Sequence, residues 1–400
     1  QAARLKLFRA GRLRELLRRG MAELAFTPQQ VLRLCSHMHR AFVSRDRRKL
    51  QALSAPILQH LHLFRPSEVA MVLNHYAHVR VVDRPFWQKV SDSLPDVFID
   101  PECRCLGIAV NAYARASFKH DAAFEEITRW AELLAARGAM HGRSIAMIVN
   151  GYSKMRVCNA NLMDALGAQL LTRVSELTAI DIAQVLNGYA RLRLQNDVVF
   201  AALHRPMLDA MAQFSVNNLA MLANAHARLL RRDEKLLDVV ASELHSRCLS
   251  GQPISSDHLP SIVHAFVEKL AFQPADLVHA IEFSLPKVIA GMQKNDVVLT
   301  VPPLVGVRGL CATPAFREPI FRHCSTILEQ LTCNAVVGIL DVAAHLRHDC
   351  RVFWERALLQ CGASISQGAW ENKYIAILCS LVGNIWANPA IDVEGWPPFA

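Results

Sequence analysis

The sequence lacks any apolar run long enough to cross a lipid bilayer. Its longest candidate, residues 374–386, has only thirteen residues, whereas a spanning helix needs about 20. This stretch fits a buried helix better, so we expect no membrane insertion. Glycine and proline are also scarce, at 17 and 18 of 400 residues, while 52% of the residues are apolar. This composition excludes a disordered chain and favours a folded, helical one.

Motifs of catalysis and metal binding are missing as well. The chain has no glycine-rich phosphate loop, no GxSxG and no HExxH. Its eleven cysteines include no CxxC pair, which argues against a zinc ribbon or a disulfide framework and fits a reducing compartment. His37 and His39, like His60 and His62, are two residues apart and would not face one way on a helix. We therefore expect no enzymatic activity, no cofactor and no metal.

What the sequence does contain is a repeat. The motif Leu-Asn-Gly-Tyr-Ala-Arg-Leu at residues 186–192 returns on both sides with its asparagine, called the anchor here, in register. The clear anchors are separated by 37, 39, 37 and 37 residues, and they are Asn74, Asn111, Asn150, Asn187 and Asn224. A fixed period in this range is the signature of a solenoid.

Weaker copies extend the register in both directions. Their anchors are placed at or near Ser36, His264, Val305, Asp341 and Cys379. The fold predicted is therefore all-α, a right-handed α-solenoid of about ten helix-turn-helix repeats of 37–38 residues. Its parts are a basic N-terminal arm at 1–25, regular repeats at 26–245, and degenerate repeats with a C-terminal cap at 246–400.

Each repeat is predicted to contain two helices of about 13 residues. A Thr or Ser nine residues before the anchor would cap the first helix, as at Thr27, Thr178, Ser215, Ser255 and Thr332. The aspartate ten residues after the anchor, such as Asp197, would cap the second helix. We interpret the anchor asparagine as a partly buried amide bonded to a neighbouring backbone, and the tyrosine two residues later as core filler.

A basic column follows the anchors. Four residues after the anchor come Arg40, His78, Arg115, Lys154, Arg191 and Arg228, with His345 as a weaker member. Two residues further on come Arg80, Arg156 and Arg193. Because stacked repeats lie about 10 Å apart, such a line of cations can follow a phosphodiester backbone. Alternatively, the column is a solvated face whose charges pair with Asp and Glu of the next repeat.

The net charge of +9 is concentrated at one end. Residues 1–50 carry thirteen Lys or Arg and three Asp or Glu, whereas residues 51–400 carry 31 and 32. The basic residues of the N-terminal arm are Arg4, Lys6, Arg9, Arg12, Arg14, Arg18 and Arg19. This Arg-rich, amphipathic segment is compatible with the end of a mitochondrial targeting region, a phosphate-binding arm or a solvated capping helix.

The repeat motif resembles the heptatricopeptide repeats of apicomplexan organellar proteins. These are relatives of octotricopeptide repeats and of the repeats that precede RAP domains in FAST-kinase-like proteins. The resemblance is specific at Asn74/Tyr76, Asn111/Tyr113, Asn150/Tyr152 and Asn187/Tyr189, and it covers residues 27–245 well and 246–400 loosely. It implies an α-solenoid that binds organellar RNA, and family members also serve in mitochondrial ribosomes assembled on fragmented rRNA. No convincing RAP domain is found in residues 1–400.

We therefore expect an RNA-binding repeat protein of the mitochondrial matrix, most simply a structural component of the mitochondrial ribosome that clamps rRNA. Its partners would be mitochondrial rRNA fragments and other subunits of the ribosome or complex. The alternative is a protein-binding scaffold subunit of another large mitochondrial complex, which the neutral charge of residues 51–400 favours.

Overall fold

The computed structural model describes residues 28–81 and 83–386, and each regular element there is helical. The all-α prediction is therefore confirmed. Thr27 and the whole basic N-terminal arm, including its seven cations, lie outside the described residues. None of the helices within 28–81 and 83–386 has the length and apolarity that crossing a membrane requires.

The chain divides into two compact units, residues 1–169 and 170–400. The helices of the first unit are α1 (Pro28–Val43), α2 (Arg47–Ala52), α3 (Ser54–His60), α4 (Pro66–Val79), α5 (Arg84–Asp92), α6 (Leu94–Val97), α7 (Cys103–Ala116), α8 (Asp121–Ala136), α9 (Gly142–Met155) and α10 (Ala160–Leu171). A short 3₁₀ turn at Leu61–Leu63 follows α3.

The helices of the second unit are α11 (Ala179–Arg191), α12 (Asp197–Asp209), α13 (Val216–Arg228), α14 (Glu234–Leu249), α15 (Leu259–Val263), α16 (Ala275–Val288), α17 (Lys294–Thr300), α18 (Pro314–Ile327), α19 (Cys333–His345), α20 (Arg351–Ser366) and α21 (Asn372–Trp386). A π-helical turn, His264–Lys269, continues α15, and a 3₁₀ turn, Pro302–Gly306, follows α17.

Each unit is a two-layer stack. In the first unit, the first helices α1, α4, α7 and α9 pack against one another in order, and the second helices α3, α5 and α8 do the same. In the second unit, α11 packs on α13, and α14, α16, α18 and α20 form a consecutive second-helix layer. In the described part of the chain, ten first helices begin at 28, 66, 103, 142, 179, 216, 259, 294, 333 and 372, in agreement with the predicted number of repeats.

The repeat tyrosine is the main core residue of the first unit, as predicted. Tyr76, Tyr113 and Tyr152 are completely buried. Each phenol oxygen reaches a hydroxyl on the second helix of the preceding repeat: Ser54 at 3.2 Å, Ser91 at 2.9 Å and Thr128 at 2.8 Å. These hydroxyls recur every 37 residues, so one ladder of hydrogen bonds joins the two layers from repeat to repeat.

The anchor asparagine of repeat 6 is bonded within its own helix. The side-chain amide of Asn224 donates to the carbonyl of Ala220 at 2.9 Å, one turn back in its own helix. Asn150 is 3% exposed, and its Oδ1 has no hydrogen-bond partner among the described residues. The predicted bond from a partly buried amide to a neighbouring backbone group is therefore confirmed for Asn224, and the backbone group belongs to its own helix α13.

Helix caps confirm part of the predicted register. Thr178 caps α11 by accepting from the amide of Asp181, and Ser215 caps α13 in the same way. The cap prediction is wrong at Ser255, because α15 begins only at Leu259 after His258. It is also wrong by one residue at Asp197, since Asn196 is the N-cap of α12 and its side chain accepts from Val199.

Candidate nucleic-acid interface

The candidate interface is built where the first helices end. Arg80, Arg156 and Arg193 occupy the residue at or just after the helix C-terminus, with φ of 57°, 54° and 58°. In each case the following amide donates back to the carbonyl of the repeat tyrosine, as Val157 does to Tyr152 at 3.0 Å. This is the hydrogen bond that closes a helix through a left-handed residue.

Glycine is the usual residue in this conformation, because a Cβ is unfavourable there by roughly 1–2 kcal/mol. Here the same position holds Arg80, Ser117, Arg156, Arg193, Leu230, Ala271 and Arg347. A large side chain at positive φ is uncommon and concentrates at functional positions. The left-handed turn aims each of these side chains away from the helix that it terminates, which leaves the arginine heads exposed.

A second line of basic residues lies two residues before the left-handed position. It comprises His78, Arg115, Lys154, Arg191 and Arg228, all of which are exposed. In repeat 7 the left-handed residue is Ala271, so the equivalent position is Lys269. Counting four residues from the His264 anchor gives Glu268, which is not basic, but the π-helical turn His264–Lys269 adds one residue to the helix. Lys269 therefore takes the position that the cations occupy in the earlier repeats.

In the first unit, members of this line are in direct contact across repeats. Nη1 of Arg115 lies 2.6 Å from Nδ1 of His78, one repeat earlier. Partial burial and the charges of Arg115 and Arg45 lower the pKa of His78, so its imidazole is neutral at pH 7 and can accept from the guanidinium. Phe42 packs edge-on against the His78 ring at 5.7 Å. In this part of the first unit, the Arg115 guanidinium thus contacts a neutral His78 imidazole, and the charge of Arg45 acts on the same ring.

In the second unit, the ends of α11 and α13 and the π-helical turn line an open cavity of about 500 Å³. Its polar lining consists of Arg191, Arg193, Gln195, Asn224, Arg228, His264 and Lys269. None of the described residues that line it is acidic. Guanidinium and ammonium groups match phosphate oxygens, while the amides of Gln195 and Asn224 offer donors and acceptors to a base edge. The cavity can therefore accommodate an anionic, hydrogen-bonding ligand.

The basic residues at the ends of the first helices form one set in each unit, and these two sets are called the basic edges. The edge of the first unit is Arg45, His78, Arg80, Arg115, Lys154 and Arg156, and that of the second is Arg191, Arg193, Arg228 and Lys269. Within residues 28–81 and 83–386, no ion pair joins Arg80, Arg156, Arg193, Arg228 or Lys269 to a carboxylate. The second helices behave differently.

Several cations on the second helices have carboxylate partners. Arg205 pairs with Asp209 at 2.9 Å on α12, and Arg247 pairs with Glu243 at 2.7 Å on α14. Between repeats, Arg317 of α18 reaches Asp349 at 3.0 Å. These second-helix cations are thus paired with acids, as is His264 with Glu268 at 2.6 Å, whereas the five cations named above have no ion pair to a carboxylate among the described residues.

Residues 102–281 match the family of RNA-editing substrate-binding complex 6 proteins, RESC6. The match covers 180 of the 400 residues, from the start of α7 into α16. It includes Arg115, Lys154, Arg156 and the whole lining of the second-unit cavity. No curated protein matches the chain. The match shows a resemblance to this family over the regular repeats, and it does not confirm the heptatricopeptide family in particular.

The structure places the other predicted site residues as follows. Arg40 is exposed in the last turn of α1, but it is Arg45, with φ of 52°, whose charge acts on His78 together with that of Arg115. Sequence reasoning missed Arg45 because α1 continues to Val43, so that the left-handed residue comes nine residues after the Ser36 anchor and not six. It also missed Arg347, which takes the left-handed position after α19.

Proposed function

We propose that this protein binds single-stranded RNA along its basic edges, as a non-catalytic subunit of a ribonucleoprotein complex in the mitochondrial matrix. The observation that carries the proposal is that, among the described residues, no ion pair joins Arg80, Arg156, Arg193, Arg228 or Lys269 to a carboxylate. A face meant only for solubility would carry mixed charges, as the second helices do. The family match supports the same reading, since that family is described as an RNA-editing substrate-binding complex protein.

Binding at the edges would be mainly electrostatic. Each phosphate that is neutralised releases a counterion, so the affinity should fall steeply with salt. The exposed arginines are suited to this because a guanidinium donates through a rigid fork to two phosphate oxygens at once. In the second-unit cavity, Gln195 and Asn224 would add hydrogen bonds to one base or ribose.

Two assemblies are candidates for the complex. The resemblance to organellar repeat proteins favours the mitochondrial ribosome, with rRNA fragments as the ligand. The match over residues 102–281 favours a complex that binds the substrates of RNA editing. Crosslinking of the tagged protein in its organelle, followed by sequencing of the bound RNA and sedimentation, separates them. Ribosomal RNA in a ribosome-sized particle indicates the first, and messenger or guide RNA in a smaller particle indicates the second.

The binding site itself is tested by a matched pair of charge reversals in the full chain. Arg193→Glu with Arg228→Glu removes two cations from the cavity. Lys235→Glu with Arg322→Glu makes the same change in net charge on the second helices, where both residues are exposed. Affinity for a fluorescent single-stranded RNA is measured by anisotropy at several salt concentrations.

We expect the cavity variant to bind at least tenfold more weakly and to have a salt slope smaller by about 1.4, equivalent to two phosphate contacts. The second-helix variant should stay close to wild type. Equal losses of RNA affinity in the two variants would mean that binding depends on the overall positive charge of the protein and not on the basic edges. Unchanged binding in both would leave the protein-binding scaffold as the better account.

A further inference from the structure

A separate cluster of possible ligands lies on the second helices of the second unit. His245 of α14 meets Asp276 and His279 of α16, and one ligand atom from each residue lies within 4.8 Å of the other two. Nδ1 of His245 is 3.0 Å from Oδ1 of Asp276, and the two imidazole rings are 5.1 Å apart. His279 is exposed and the other two are half-buried.

The local helix geometry explains why these residues converge. Asp276 and His279 are three residues apart, so they share one face of α16. That face packs against α14, which presents His245. The hydroxyl of Ser242, one turn before His245, donates to the second oxygen of Asp276. A carboxylate oriented by an outer hydrogen bond is typical of the support that surrounds metal ligands.

We propose that His245, Asp276 and His279 bind a divalent cation of the zinc class. Two imidazoles and one carboxylate form a common three-ligand zinc set, with water in the fourth position. Zinc bonds of about 2.0–2.2 Å place tetrahedral ligands roughly 3.3–3.5 Å apart. The 3.0 Å between Nδ1 of His245 and Oδ1 of Asp276 is a few tenths of an ångström shorter, so these two atoms move slightly apart on binding, and the exposed His279 approaches them by a change of rotamer. Imidazole ligands disfavour Mg²⁺ and Ca²⁺.

The position of the cluster gives the cation a structural role. The first helix of repeat 7 begins at Leu259, 43 residues after that of repeat 6 at Val216, whereas the earlier steps are 37–39 residues. Its helix is short and passes into the π-helical turn. A cation between α14 and α16 fastens the second-helix layer across this irregular repeat. Because its ligands lie on second helices and not at the ends of first helices, the site is independent of the RNA-binding edges.

The experiment uses the full chain after removal of metal with a chelator. Zn²⁺ is titrated against a chromophoric chelator, thermal unfolding is followed with and without Zn²⁺, and Co²⁺ serves as a spectroscopic substitute. The variants are His279→Ala and Asp276→Asn, with His62→Ala as a control at an exposed histidine outside the cluster. Circular dichroism verifies that each variant folds.

We expect one equivalent of Zn²⁺ to bind and to raise the Tm. The Co²⁺ protein should show a four-coordinate visible spectrum without thiolate charge transfer, since no cysteine is in the cluster. His279→Ala and Asp276→Asn should bind Zn²⁺ at least tenfold more weakly than wild type. His62→Ala should bind Zn²⁺ like wild type, and the RNA affinity of all variants should stay unchanged. A thiolate band, equal affinity in His279→Ala, or no binding at micromolar Zn²⁺ would overturn the proposal.

Discussion

The phenol oxygen of Tyr113 lies 2.9 Å from the hydroxyl of Ser91, and both residues are fully buried. This pair joins the first helix of repeat 3 to the second helix of repeat 2. The same contact recurs at Tyr76 with Ser54 and at Tyr152 with Thr128. The tyrosine of the repeat motif is therefore a polar link between the layers as well as a core residue.

Removal of the Ser91 hydroxyl should destabilise the first unit. Ser91→Ala leaves the buried Tyr113 hydroxyl without its partner, which is unfavourable by about 1–3 kcal/mol. Tyr113→Phe should have a smaller effect, because Ser91 still donates to the carbonyl of Trp87 at 2.7 Å. Urea unfolding of both single variants and the double variant measures the coupling. A double variant as unstable as the sum of the single ones would contradict the link.

Substitution by glycine at the left-handed positions should distinguish their effect on folding stability from their effect on RNA binding. Ser117→Gly relieves the backbone strain at φ of 52° and should stabilise by up to about 1 kcal/mol. Arg156→Gly relieves the same strain but also removes a cation from a helix C-terminus, an effect of about 0.3–1 kcal/mol. Its stability should therefore rise less than that of Ser117→Gly, or not at all.

The RNA affinities of these two glycine variants should differ in the opposite sense. Ser117→Gly changes no charge and should bind RNA like wild type. Arg156→Gly should bind several-fold more weakly, measured by anisotropy at fixed salt. Equal RNA affinity of both variants would mean that Arg156 stabilises the C-terminus of its helix and does not bind RNA.

Close approach of α7 and α9 should make Gly151 intolerant of substitution. A Cβ at Gly151 would lie 2.2 Å from Cγ1 of Val110 and 3.2 Å from the Val110 carbonyl carbon. Gly151→Ala should therefore destabilise by about 1–3 kcal/mol, and Val110→Ala in the same chain should recover part of this loss. Thermal unfolding provides the measurement.

Gly362 is the matched control, since it also lies inside a helix but a Cβ there meets nothing within 4 Å. Gly362→Ala should stabilise α20 by roughly 0.5–1 kcal/mol. If the two alanine substitutions behave alike, helix propensity rather than close packing governs Gly151.

Acid should weaken the second unit through His348. Burial and the charge of Arg317 lower the pKa of this histidine to about 4, against a smaller opposing effect of Asp349. The unfolded chain binds the proton near pH 6.5, so stability is full above pH 6.5 and falls as the pH drops toward 4. The expected loss of stability by pH 4 is about 3 kcal/mol.

His348→Phe keeps an aromatic ring on Phe321, whose centroid is 4.4 Å away. This variant should therefore lose less stability than wild type between pH 7 and 4.5 in urea unfolding. His62→Phe, at an exposed position, should follow wild type. An acid dependence identical in all three proteins would mean that His348 is not responsible.

The repeat period was sufficient to predict the helical fold. Regular spacing from Asn74 to Asn224 located the first helices, and the capping residues Thr178 and Ser215 marked their starts. The period gave the wrong positions for individual residues where the backbone geometry changed within a repeat. The π-helical turn ending at Lys269 shifted the basic column by one residue, and no local sequence signal distinguishes such a turn from an α-helix.

Features that depend on contacts between repeats were beyond sequence reasoning. Ser91 and Thr128 bond to tyrosines 22 and 24 residues away, and neither carries a motif of its own. His245 and His279 are separated by one repeat, so their spacing resembles no metal motif. The positive φ of Arg156 was also hidden, because the sequence pattern gives no reason to expect an arginine where glycine is favoured.

Photo-crosslinking of a short single-stranded RNA to the full chain, with the attached peptides identified by mass spectrometry, tests the central claim most directly. We predict crosslinks in the turns that follow the first helices, above all within residues 191–195 and 228–230 and at Lys269, and their loss in the Arg193→Glu, Arg228→Glu variant. Crosslinks confined to the second helices, where the cations are paired with acids, would contradict RNA binding along the basic edges.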